Sequence, residues 1–107
     1  MAGDVWLSKQ AHWATNSSLY HWVLDFLISA VGDPGAVADL EEIRDANLGL
    51  VNLEDFDPKV QRRMLELLRH DLVPDAQSRL RADIPDRQGF IEGLQELADM
   101  AQATTTG

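Results

Sequence analysis

The chain has no cysteine, which excludes disulfides, thiolate metal sites and cysteine nucleophiles, and frees the fold from any redox condition. Four prolines, seven glycines and 7% aromatic residues in 107 positions set it apart from collagen-like and low-complexity chains. No apolar run is long enough to cross a bilayer. The most apolar segment, Leu19 to Val31, is broken by His21, Asp25 and Ser29 and falls short of the about 20 residues that a spanning helix needs. Met1-Ala2-Gly3-Asp4 shows neither a basic stretch ahead of an apolar one nor a myristoylation pattern. No membrane contact and a cytoplasmic location are the resulting expectations.

Motifs that carry chemistry are also missing. There is no HExxH, no GxSxG, no EF-hand loop and no glycine-rich phosphate loop, so the expectation is a protein that is not an enzyme and holds no cofactor and no metal. Positive charge is scarce, with 9 Lys and Arg against 18 Asp and Glu for a net charge of −9. Such a surface repels phosphate, so no direct nucleic-acid binding is expected. The Arg62, Arg63, Arg69, Arg79, Arg81 and Arg87 group is the one local exception, and Glu66, Asp71, Asp75, Asp83 and Asp86 nearby are its expected ion-pair partners.

What is present is a globular composition, 45% apolar and 25% charged, at a length that buries one core. The pattern reads as all-α: a single compact bundle of four to six helices over residues 1–103, ending in a flexible tail at 104–107. Trp6, Gln10 and Trp13 at helical spacing predict a short helix over Asp4 to Ala14. The capping run Thr15-Asn16-Ser17-Ser18 then opens a helix over about 17–31, ended by Gly32, whose polar residues form one narrow stripe. A helix apolar nearly all round belongs at the centre of the bundle.

Asp33-Pro34 and Asp57-Pro58 each supply an N-cap followed by proline at the first helical position. The first predicts a helix burying Val37, Leu40 and Ile43 and ending near Asn47 or Gly49; the second buries Val60, Met64, Leu67, Leu68 and Leu72 and stops before Pro74. Leu48 to Phe56 reads as an ordered connector between them. Asp75 to Ala82 reads as a short helix, and Phe90, Ile91, Leu94, Leu97, Ala98 and Ala101 trace a last amphipathic helix from about Pro85.

Charge is unevenly distributed. Residues 1–58 hold two basic and ten acidic residues, a net of −8, whereas residues 59–107 hold seven and eight, a net of −1. A helix that buries Val37, Leu40 and Ile43 turns Asp39, Glu42 and Asp45 outward, and Glu41, Glu54 and Asp55 extend the acidic surface. The simplest reading of such a run is a solvated face that keeps the protein soluble. The functional reading is a docking surface for a basic protein partner. All three tryptophans lie in the first 22 residues; Trp22 reads as core, and Trp6 and Trp13, in a short element, are candidate contact residues beside the acidic face, with core packing as the simpler account.

His21 and Asp25 lie one helical turn apart, the spacing of a base, a ligand pair or a pH sensor, and His12 is a further ligand candidate if the fold brings it near. A structural role on the polar stripe is the simpler account of that pair. His70 reads as a donor to the last carbonyls of its helix.

The preferred reading is therefore a small acidic protein-interaction module with Asp39, Glu41, Glu42, Asp45, Glu54, Asp55, Trp6 and Trp13 as its partner-binding set. By analogy of size, charge and helicity alone, inhibitor and immunity-type proteins that occupy the basic site of a toxin or another nucleic-acid-acting enzyme are the class it suggests. Two alternatives stay open. One is a homodimer or scaffold that buries the apolar 19–31 helix in its interface, which calls for an exposed Leu24 or Ile28 face. The other is a small-ligand or metal-binding protein using His12, His21 and Asp25.

Overall fold

The computed structural model describes residues 2–46 and 49–106, and it corrects the expected all-α bundle. The protein is α+β, with a three-stranded mixed sheet packed beside its helices.

Where the spacing of Trp6, Gln10 and Trp13 predicts a helix, the chain forms a hairpin of β1 (Ala2–Ser8) and β2 (Ala11–Asn16), turning at Lys9 and Gln10. The strands are antiparallel, with Val5 opposite Trp13 and Trp6 opposite His12, and the register shifts between Trp6 and Ser8. Gly3, Val5 and Leu7 are buried while Asp4, Trp6 and Ser8 are partly exposed. That is the two-residue period of a half-buried strand, and the helical spacing of the tryptophans is coincidental. Its consequence is that Trp6 and Trp13 point to opposite faces of the sheet.

Asn16 ends β2 and caps α1 (Ser17–Ala30), its Oδ1 accepting from the Leu19 N–H at 2.9 Å. Val23, Leu24 and Leu27 on this helix have no exposed surface. They share one hydrophobic core with Val5, Leu7, Trp13 and Val51 of the sheet and with Leu94, Leu97 and Ala101 of the last helix. Gly3 lies flat on the Tyr20 ring of α1, where a methyl group would overlap the ring carbons.

The Asp33 carboxylate accepts from the Ala36 N–H at 2.9 Å, and Pro34 occupies the first turn of α2 (Pro34–Asp45). Asn47 and Leu48, where the helix is expected to end and the connector to begin, lie outside the described residues. The rest of that connector is ordered by pairing: β3 (Leu50–Asn52) runs parallel to β1, giving the order β2-β1-β3, and continues into a 3-10 turn at Leu53–Asp55. A three-residue strand held by a partner some forty-five positions away leaves almost no local signature.

Asp57 caps α3 (Pro58–Glu66), which does not stop before Pro74 as proline placement predicts. It opens into a π-turn at Leu67–Asp71 and goes on as α4 (Leu72–Arg79), with Pro74 inside it. Proline has no N–H for the carbonyl one turn back, and a widened turn just before it absorbs that missing bond. Met64, Leu67, Leu68, Leu72 and Ala76 stay buried through the change. Finally α5 (Arg87–Thr106) runs through most of the segment expected to form the tail; Gly107 lies outside the described residues. No helix among the described residues is long and apolar enough to cross a membrane.

Candidate functional site

The outer face of the sheet and the adjoining face of α2 form one surface. Strand register sets His12, Trp6 and Asn52 side by side in one row and Ala14, Asp4 and Leu50 in the next. The His12 ring stacks on Trp6 with centroids 3.7 Å apart and planes at 17°, and its Nε2 donates to the Lys9 carbonyl at 3.1 Å. Leu50, 44% exposed, is the single large apolar side chain left open to solvent among the described residues.

Leu50 and Asn52 border a groove of about 440 Å³ whose other walls are Asp39, Glu42 and Ile43 of α2 and Asp55 and Phe56 after the 3-10 turn. Its volume falls in the range of ligand clefts, about 300–1,000 Å³. Asp39, Glu42 and Ile43 stand at i, i+3 and i+4, so one helical face supplies both carboxylates and an apolar wall. The lining thus combines three apolar side chains, Ile43, Leu50 and Phe56, with three carboxylates, Asp39, Glu42 and Asp55.

The predicted acidic set is thus divided by the fold. Asp39, Glu42 and Asp55 line the groove. Glu41 and Asp45 turn to Arg44, whose guanidinium lies 3.9 Å from Glu41 and 3.2 Å from Asp45 and also reaches Asp25 on α1 at 3.1 Å. Hydrogen bonds donated to Asp25 and then to Asp45 push the Arg44 pKa above its ordinary value, and this cation lies among three carboxylates. Glu54 is exposed on the 3-10 turn but does not line the groove. Trp6 is partly exposed on the outer sheet face, whereas Trp13 is 2% exposed in the core and is not available to a partner.

His12, His21 and Asp25 are not joined into a site. His21 Nδ1 donates to the Ser17 carbonyl at 2.9 Å, one turn back on its own helix, Asp25 is held by Arg44, and His12 lies on the sheet against Trp6. Among the described residues no group of three His, Asp or Glu side chains is arranged to hold a metal ion. Arg79 pairs with Asp75 at 2.9 Å and Arg81 with Asp83 at 3.1 Å, two of the pairings that proximity predicts; Arg87 donates instead to the Gln77 carbonyl at 3.0 Å.

Sequence reasoning does not find Leu50, Asn52 and Phe56 as site residues. Their signal is topological, because only the parallel pairing of β3 with β1 brings them opposite α2. Compared with protein-family models, with curated proteins and with solved structures, the chain shows no significant match.

Proposed function

We propose that this protein is an interaction module whose acid-rimmed groove between α2 and β3 receives a basic segment of a partner protein. One observation carries the reading: Leu50, the exposed large apolar side chain among the described residues, lies on the groove that Asp39, Glu42 and Asp55 border. A face that served only solubility gains nothing from apolar side chains set among its carboxylates. An arginine or lysine matches this combination, with an apolar stem for Ile43, Leu50 and Phe56 and a charged head for the rim. Trp6, one strand away, adds aromatic contact area of the kind that anchors interfaces. Non-enzymatic action in the cytoplasm on a basic partner, including a nucleic-acid-acting enzyme or toxin held by an inhibitor of immunity type, belongs to this proposal.

The homodimer reading calls for an exposed Leu24 or Ile28 face, but Leu24 is fully buried and Ile28 is packed against the core. The ligand reading calls for convergence of His12, His21 and Asp25, which the hydrogen bonds above direct elsewhere.

The test compares the protein with a D39N/E42Q/D55N variant, both immobilised and exposed to lysate of the source cells. Wild type is expected to retain a basic protein at low salt and release it as the Debye length shrinks from about 10 Å at 0.1 M to about 3 Å at 1 M. The variant, matched in circular dichroism, is expected to retain none. Equal retention by both refutes the groove as the docking surface.

A further inference from the structure

We infer that the partner segment enters the groove as an extended strand that pairs with the open edge of β3 and adds a fourth strand to the sheet; the inference rests on the docking proposal and specifies the form of the occupant. The Asp4 N–H donates to the Gly49 carbonyl at 2.9 Å. Asp4 stands opposite Leu50, Val5 opposite Val51 and Trp6 opposite Asn52. In a parallel ladder with that register, Gly49 and Val51 bond toward β1, and the residues between them bond to the other side. The N–H and C=O of Leu50 and the N–H of Asn52 therefore point away from β1. Among the described residues no strand lies beyond β3 in the order β2-β1-β3, and the groove borders both Leu50 and Asn52.

Edge strands are ordinarily guarded by a charge, a proline or a bulge within the strand. Leu50-Val51-Asn52 has neither charge nor proline, and its register with β1 is regular. The guard stands on the rim instead, as Asp39, Glu42 and Asp55. Carboxylates placed there repel an acidic strand, which includes a second copy of this chain with its net charge of −9, and they attract a basic one. The edge is thus open selectively. Main-chain hydrogen bonds to Leu50 and Asn52 would supply affinity, and every second side chain of the added strand would face the acidic rim and supply specificity.

The experiment titrates isotope-labelled protein at low salt with a short, end-blocked peptide alternating arginine with valine. Two companions are titrated beside it: the same peptide N-methylated at alternate amides, and a helix-forming peptide of arginine and alanine with equal charge. The inference predicts that the extended peptide binds, that the Leu50 and Asn52 amide protons move downfield and gain exchange protection, and that N-methylation weakens binding roughly tenfold by removing main-chain hydrogen bonds. Equal binding of the N-methylated peptide, or binding of the helical peptide in preference to the extended one, overturns strand addition and leaves the acidic docking surface standing. Absence of binding by all three overturns both.

Discussion

Replacing Gly3 by alanine separates the hairpin from the helix that residue spacing predicts. In a helix, or at a loop position with open space around it, Gly→Ala stabilises a protein by about 0.4–1 kcal/mol, because it restricts the unfolded chain. Gly3 has no such space. Its Cα faces the Tyr20 ring, and an added methyl would overlap Cβ, Cγ and Cδ1 of that side chain. These are the inner atoms of a ring 2% exposed and packed in the core, so either Tyr20 leaves its rotamer or β1 lifts from α1. Overpacking of this kind costs about 1–3 kcal/mol, which for a domain near this size lowers Tm by roughly 5–15 °C. Thermal and urea unfolding followed by circular dichroism measure the cost. In a Tyr20→Ala background, which removes Cγ and Cδ1 but keeps Cβ, part of the penalty should vanish, and the double-mutant cycle reads that coupling. A Gly3→Ala protein that melts above wild type would refute the packing of β1 on α1.

Three further outcomes follow from the same packing. The Tyr20 hydroxyl is buried and has no hydrogen-bond partner among the described residues, so Tyr20→Phe should leave stability unchanged or raise it by about 1 kcal/mol in urea unfolding. Burial first, and the charge of Asp4 second, raise the Tyr20 pKa above its ordinary 10.0. A raised acid stabilises the fold fully below the unfolded pKa and loses that contribution as pH climbs through the folded value, so stability should decline above about pH 10 in wild type, and less steeply in Tyr20→Phe. The two hairpin tryptophans should behave in opposite ways: Trp13→Ala should cost about 3–5 kcal/mol, while Trp6→Ala should largely keep the fold and weaken partner binding, as calorimetry and titration of the two variants would show.

The elements legible in the sequence are those announced by local chemistry. Asn16, Asp33 and Asp57 accept the N–H bonds that their positions suggest, and α5 carries the apolar stripe read from Phe90 to Ala101. The hairpin is present too, in the alternation of Gly3, Val5 and Leu7 with Asp4, Trp6 and Ser8, but the chance three-and-four spacing of Trp6, Gln10 and Trp13 over the same stretch points to a helix. Nothing local announces β3, since three residues become a strand only through β1. The groove inherits that opacity: Asp39 and Glu42 were visible as outward charges, whereas Leu50 and Phe56 acquire meaning only from what stands opposite them. Asp25 shows the same limit from another side. Its neighbour on the helix is His21, yet its carboxylate goes to Arg44, 19 positions away on another helix, and no periodicity encodes that choice.

The most direct test of the docking surface is a hydrogen–deuterium exchange footprint of the protein with and without the basic partner it retains. Slowed exchange in the peptides spanning residues 39–46 and 49–56, together with β1 around Trp6, is the predicted result. Protection confined to α3 around Lys59, Arg62 and Arg63, with the α2–β3 groove exchanging as in the free protein, would contradict it.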